Sequence, residues 1–289
     1  MAELREKLRA VLGNQRLELQ ATPRPDANAT AGWQALDIEF SDGAHSKAWM
    51  IAPDHPAPAV LYCHAHGNTY TVGCDELRRG RPALQGPYGP DLAKAGFAAF
   101  CLDMPCFGSR QDIGESAAAK AGLWSGKPLF GRMLAELSAG FHWLKALPKI
   151  GPVATLGLSM GATQAYWLAA LEPEIAATAH IACFADLAAL IEADAHDLHG
   201  AYMTVPGLLP LARTGQIAGL VAPRPQMICA GRRDPLTPMR ALEIGLADVT
   251  AAYSSAPDRL TTLIAPGLGH AESPDMRRGV LEFLTKALH

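Results

Sequence analysis

Six apolar runs, at 58–64, 97–103, 152–159, 175–183, 225–231 and 259–266, read as buried strands, and helical patterns fall between most of them. In 131–146, for example, Met133, Leu134, Leu137, Phe141 and Leu144 share one stripe. A strand that returns to the same sheet through a helix needs a crossover, and repeated crossovers build a mainly parallel sheet with helices on both faces. Ahead of this alternation, runs 33–40 and 47–52 flank Ser41-Asp42-Gly43, a hairpin signal that adds antiparallel strands at one N-terminal edge. Leu4, Leu8, Val11 and Leu12 recur at helical spacing, and the polar, proline-containing stretch 21–32 reads as a loop. The expected organisation is an N-terminal helix and linker over 1–30, then a single α/β domain over 31–289. Connections 104–130 and 184–224 are long; the second follows the sixth expected strand and reads as a small insertion, a candidate cap over the strand ends.

Composition narrows the function classes. Of 289 residues, 49% are hydrophobic and 18% charged, which suits a large buried core. A net charge of −3 leaves no electrostatic footprint for nucleic acid or for an anionic membrane surface. The N-terminus is charged throughout, unlike a secretory signal, and no run reaches the roughly 18 to 20 apolar residues of a membrane span, so a cytoplasmic location is expected. The six cysteines form no CxxC pair; Cys63, Cys101, Cys183 and Cys229 lie in strand-like segments and read as buried reduced thiols.

Chemistry enters at the junction of the 152–159 strand with the helix after it. There stands Gly157-Leu158-Ser159-Met160-Gly161. A G-x-S-x-G at a sharp strand-to-helix turn exposes the serine, and the helix N-terminus favours negative charge developing there. Without that context, the same pattern is an ordinary Gly/Ser turn. A serine hydroxyl needs a base. Of the later histidines, His180 lies inside a strand and His289 is the terminus, while His270 sits in a glycine-rich loop after the last strand. An acid must orient that ring. Asp234 follows the 225–231 strand, whereas Asp248 and Asp258 lie in or after the next helix and Asp186, Asp194 and Asp197 in the irregular insertion. Ser159, Asp234 and His270 thus follow three different strands, in the order serine, acid, base.

Acyl transfer also needs two backbone N–H donors for the tetrahedral oxyanion. One is expected from Met160. The other is expected from the loop His64-Ala65-His66-Gly67-Asn68, at the amide of His66. His64-x-His66 has competing readings as a metal pair, as a hydrogen-bonded brace or as a plain turn. Further candidates for substrate contact are His64, Gly67, Asn68, Trp124 and Tyr202, with Phe130 near Trp124; core packing is the rival reading for the aromatic ones.

With these residues assembled, the chain resembles the α/β-hydrolase superfamily, and within it the dienelactone hydrolase-like and acetyl xylan esterase-like carboxylesterases. The resemblance runs from about residue 45 to the C-terminus. It rests on HAHGN at 64–68, LDMPCFGS at 102–109, GLSMG at 157–161, GRRDPLTP at 231–238 and GLGH at 267–270. It implies an α/β-hydrolase fold with Ser159 as nucleophile, Asp234 as acid and His270 as base. It implies a small-molecule ester substrate, with no metal and no organic cofactor. Dienelactone hydrolases proper carry cysteine at the nucleophile position, so Ser159 points to ordinary ester cleavage. Two other readings stay open: a serine peptidase or amidase of the same fold, and a non-catalytic binding protein on a hydrolase scaffold. Acyl length, alcohol type and oligomeric state, a homodimer included, are not set by the sequence. Dinucleotide-dependent redox chemistry is disfavoured, since no G-x-G-x-x-G follows the first of the six runs.

Overall fold

The computed structural model describes residues 1–26 and 32–289. Its strands are β1 (Leu19–Arg24), β2 (Trp33–Phe40), β3 (His45–Ile51), β4 (Ala57–Cys63), β5 (Ala98–Leu102), β6 (Ile150–Leu158), β7 (Ala177–Ile181), β8 (Gln226–Gly231) and β9 (Leu260–Ala265). Its helices are α1 (Ala2–Val11), α2 (Glu76–Arg79), α3 (Tyr88–Lys94), α4 (Glu115–Trp124), α5 (Leu129–Ala146), α6 (Met160–Leu171), α7 (Leu187–Glu192), α8 (Thr214–Ala218), α9 (Met239–Ala252) and α10 (Pro274–Leu288). All nine strands join one sheet, ordered β1-β2-β3-β5-β4-β6-β7-β8-β9. β1, β2, β3 and β5 pair antiparallel at the N-terminal edge, and from β5 through β4 to β9 every pairing is parallel.

Alternation along the strands divides the core in two. In β4, Ala59, Leu61 and Cys63 pack with α1, α5 and α6, while Val60 and Tyr62 pack with α3 and α10. Because both faces are covered, the central strands are apolar at nearly every position, which is why they read as continuous runs.

The N-terminal segment departs from expectation. Residues 21–24, read as loop, belong to β1, paired residue by residue with β2. Pro23 suggested a loop, but an edge strand tolerates a residue that cannot donate on its outer side. The expected boundary between residues 30 and 31 lies outside the described residues, and the sheet continues on both sides of it. α1 is not a free appendage either. Leu8 is fully buried, and Arg5 and Arg9 donate to the carbonyls of Ala170 (2.7 Å) and Leu171 (2.6 Å) at the C-terminus of α6. Those carbonyls have no partner within their own helix, and the two cations also suit that end of its dipole. The long connections are not structureless: 104–130 contains α4, and 184–224 contains α7, α8 and short 3-10 turns.

Since Leu8 belongs to the main core, Leu8→Ala is expected to destabilise the whole domain by about 2–5 kcal/mol. Chemical denaturation should show one cooperative transition at lower denaturant. An unmoved main transition would mean that α1 folds apart from the sheet.

Candidate active site

Ser159 joins β6 to α6 with φ +59° and ψ −119°, a left-handed conformation that a residue with a Cβ rarely adopts. Its neighbours leave no alternative. A Cβ on Gly161 would collide with the carbonyl oxygen of Cys63 at the end of β4, and a Cβ on Gly157 would collide with the Gly161 backbone. The Ser159 amide donates to the Ile181 carbonyl of β7 at 3.0 Å. The turn is thus clamped between the two strands flanking β6, and its hydroxyl stands at the C-terminal rim of the sheet.

Two loops deliver the partners. The Arg232 and Arg233 amides after β8 donate to the carbonyls of Ala265 (3.0 Å), the last residue of β9, and of Leu268 (2.9 Å) beyond it. Gly231 sits so close to Leu268 and Gly269 that a side chain would not fit. The crossing brings Asp234 against His270: His270 Nδ1 donates to Asp234 Oδ2 at 2.8 Å, and Ser159 Oγ donates to His270 Nε2 at 2.9 Å. The other oxygen of Asp234 accepts the Leu236 amide at 2.9 Å. Asp234 is buried, while the His270 side chain remains 21% exposed. Behind His270, buried Glu272 accepts from the Gln85 amide and from Arg277, and its own amide donates to Ala83.

The loop after β4 is held by buried acids that no sequence motif announced. The Ala65 amide donates to Glu76 Oε2 at 3.0 Å, Tyr62 donates to Glu76 Oε1 at 2.6 Å, and Arg81 pairs with the same carboxylate. The Ala65 carbonyl accepts from Arg81 Nη2 at 2.9 Å and from His64 Nδ1 at 3.1 Å. His66 uses both ring nitrogens: Nδ1 accepts the Asn68 amide at 3.0 Å and Nε2 donates to Glu115 Oε2 at 2.6 Å. Glu115 also accepts from Tyr70 Oη and from the Tyr202 amide, each at 2.8 Å. Burial alone would push the Glu115 carboxyl up, but these donors outweigh it and hold it below the ordinary carboxylate range. Among the described residues no acceptor meets the His66 amide. Met160, as the first residue of α6, has no intrahelical acceptor for its own.

Several sequence candidates find other roles. His64 is fully buried, with Nε2 accepting the Met104 amide at 3.1 Å, so it braces the loop and does not meet substrate. Burial holds its imidazolium form down. With all four ring nitrogens of His64 and His66 engaged, the metal-pair reading has no free ligand atom. Gly67 and Asn68 both take positive φ, +54° and +52°, and shape the loop. Trp124, a candidate for substrate contact, is 88% exposed at the end of α4 and, among the described residues, packs on no ring, because the helix turns that face to solvent. Tyr202 is buried, stacked on His66 at 5.9 Å and tilted against Phe130 at 6.0 Å, so it packs against the 64–68 loop. His180 is a core residue, as its place in a strand suggests, with its pKa lowered to about 3 by burial. His199, from the 184–224 segment, donates from Nε2 to the Leu236 carbonyl at 2.9 Å and contacts Cys183 Sγ at 3.6 Å. All six cysteines are free and buried. A cleft of about 700 Å³ opens between Arg9, Leu17, Leu134 and Glu172, at the far end of α6 from Ser159, and shares no residue with this constellation.

A parallel sheet with a strained serine turn at its C-terminal rim is the arrangement of the α/β hydrolases. No protein-family model matches the sequence. Over 263 residues it is 30% identical to the Bacillus subtilis (strain 168) protein named "Putative hydrolase YtaP", spanning 88% of each chain. The fold is similar to acetyl xylan esterase 1 from Thermoanaerobacterium sp. JW/SL YS485, with a TM-score of 0.69 at 15% identity over 99% of this chain and 93% of that one. It is also similar to the α/β hydrolase GrgF from Penicillium sp. sh18, with a TM-score of 0.56 at 15% identity over 89% of this chain and 99% of that one. The chain belongs to the α/β-hydrolase superfamily.

Glu115 generates a pH-dependent prediction. A carboxyl whose pKa is depressed by folding contributes stability that is present above its unfolded value and lost as pH falls through the folded one. Glu115→Gln is therefore expected to cost about 1–3 kcal/mol at pH 7. The gap from the parent protein should narrow as pH drops below 4.5, the ordinary value, in urea titrations at a series of pH values. A gap independent of pH would mean that the charge on Glu115 plays no part.

Proposed function

We propose that the protein is a serine hydrolase that cleaves carboxylic esters through an acyl-enzyme. The observation that carries the reading is the unbroken chain from Ser159 Oγ through the His270 ring to Asp234, with both links under 3 Å. The esterase names of the structural neighbours support the ester class over other acyl substrates.

In this mechanism His270 Nε2 takes the Ser159 proton as Oγ attacks the ester carbonyl. Asp234 keeps the Nδ1 proton directed at itself and stabilises the imidazolium that forms. The tetrahedral oxyanion is received by the Met160 and His66 amides, the first of them also at the positive end of the α6 dipole. His270 then gives its proton to the leaving alkoxide. Water enters, is deprotonated by the same ring, and releases the carboxylic acid.

Ser159→Ala is expected to lower kcat on short-chain nitrophenyl esters by at least about 1,000-fold while the circular dichroism spectrum and unfolding midpoint hold. A fluorophosphonate should label the parent protein at Ser159 and leave the variant unlabelled. Turnover of esters should exceed that of aminoacyl anilides. Preferred anilide cleavage would make the protein an amidase, and activity persisting in Ser159→Ala would sink the assignment of the nucleophile.

A further inference from the structure

Resting on that esterase reading, we propose that Arg81 is a positioning residue for the oxyanion hole, acting through the peptide bond between Ala65 and His66. This one peptide carries both the carbonyl of Ala65 and the amide of His66. The bond is trans, so its C=O and N–H point in opposite directions and fixing one aims the other. The carbonyl end is held twice, by Arg81 Nη2 at 2.9 Å and by His64 Nδ1 at 3.1 Å. The amide end is the one with no acceptor among the described residues.

Arg81 is itself fixed. Its Nε donates to Glu76 Oε2 at 2.5 Å, and that same oxygen accepts the Ala65 amide at 3.0 Å. Guanidinium, carboxylate and the Ala65 backbone therefore close a ring that grips Ala65 at its N–H and its C=O together. The ring is dry: the Arg81 side chain is 6% exposed and that of Glu76 not at all. The loop also runs so close to the guanidinium that a Cβ on Gly67 would collide with Arg81 Nη1, and Gly67 at φ +54° is the residue that fits.

Geometry is only half of the effect. A cationic donor on a carbonyl oxygen draws electron density through the amide and makes the N–H at the other end a stronger donor, more so at low dielectric. That gain counts most when the acceptor becomes an oxyanion, in the transition state, and little when it is a neutral ester carbonyl. Arg81 thus serves kcat and leaves ground-state binding nearly untouched. Glu115 differs, because it holds the His66 ring and not its peptide.

Removing Arg81 alone would strand Glu76 as a buried unpaired charge, so the test uses Glu76→Gln combined with Arg81→Met. The substituted glutamine keeps an acceptor oxygen for the Ala65 amide, and the substituted methionine keeps bulk without a donor. In this double variant kcat on nitrophenyl acetate is expected to fall about 10- to 100-fold, below the full loss of an oxyanion donor. KM should stay within about threefold, and the pH–rate profile should keep its midpoints, since neither His270 nor Asp234 is touched. Phosphonylation of Ser159 should slow in parallel. A folded double variant with parental kcat overturns the proposal, as does a loss that appears in KM alone. If the double variant does not fold, Arg81→Lys decides instead: one ammonium cannot reproduce two separately aimed N–H groups, so kcat should fall with KM held, and an unchanged kcat overturns the proposal. Ser159→Ala runs beside both. A dead Ser159→Ala with unimpaired Arg81 variants removes this inference and keeps the esterase reading, whereas an active Ser159→Ala removes both.

Discussion

The backbone at Ser159 is the constraint around which the rest of the site is arranged. Holding a non-glycine residue at φ +59° costs on the order of 1–3 kcal/mol, and the surroundings must leave it no easier path. Here they do so from both flanks. The Ser159 amide is spent on Ile181 of β7, and the start of α6 presses its Gly161 backbone against Cys63 of β4. The same compression that strains the serine brings the first turn of α6 within touching distance of the strand that launches the 64–68 loop. Segments about 90 residues apart in sequence, the start of α6 and the end of β4 with His64, are thus in backbone contact beside Ser159.

A second device recurs around that turn. Loops at the rim of a parallel sheet carry amides with no ladder partner, and each one buried must find an acceptor. In this protein buried carboxylates supply it. Asp103 accepts the amides of Cys74 (2.7 Å) and Ser109 (2.8 Å), Glu76 that of Ala65, Glu115 that of Tyr202, and Glu272 that of Gln85. Asp234 follows the same pattern with Leu236 while its other oxygen orients His270. Asp234 is therefore one of a series of loop anchors and, like Glu115 with the His66 ring, it joins a backbone amide to an imidazole. Arginines complete two of these anchors: Arg81 on Glu76 and Arg277 on Glu272. Charge-assisted bonds of this kind offset the desolvation of each acid.

Much of this was legible in the sequence because it depends on local pattern. The parallel strands announce themselves by apolar runs, and the Ser159 turn by glycines two residues to either side. Asp234 and His270, which the fold brings together with Ser159, stood out by position, each just past a strand end. β1 was missed because Pro23 and the polar residues around it resemble a loop, and only the edge location makes them a strand. Glu76, Arg81 and Glu115 were missed for a different reason. A buried acid and an exposed acid look alike in sequence; what separates them is a partner brought close by the fold, such as Tyr70, 45 residues from Glu115, or Tyr202, 87 residues away. Trp124 misled in the opposite direction, since a large aromatic in a long connection suggests a pocket wall and here faces solvent.

Those long-range partners also tie the 184–224 segment to the chemistry. A Cβ on Gly200 would stand 2.6 Å from Glu115 Oε1 and 2.9 Å from His66 Nε2, so the segment passes directly over their hydrogen bond. Two residues on, Tyr202 gives its amide to Glu115 and lays its ring on that of His66. One residue earlier, His199 reaches the Leu236 carbonyl in the loop that carries Asp234. Lifting 199–202 away would leave a buried carboxylate one donor short and remove a contact from each of the two loops that frame Ser159. The segment is therefore held down by the same polar groups that hold the 64–68 loop and the loop carrying Asp234.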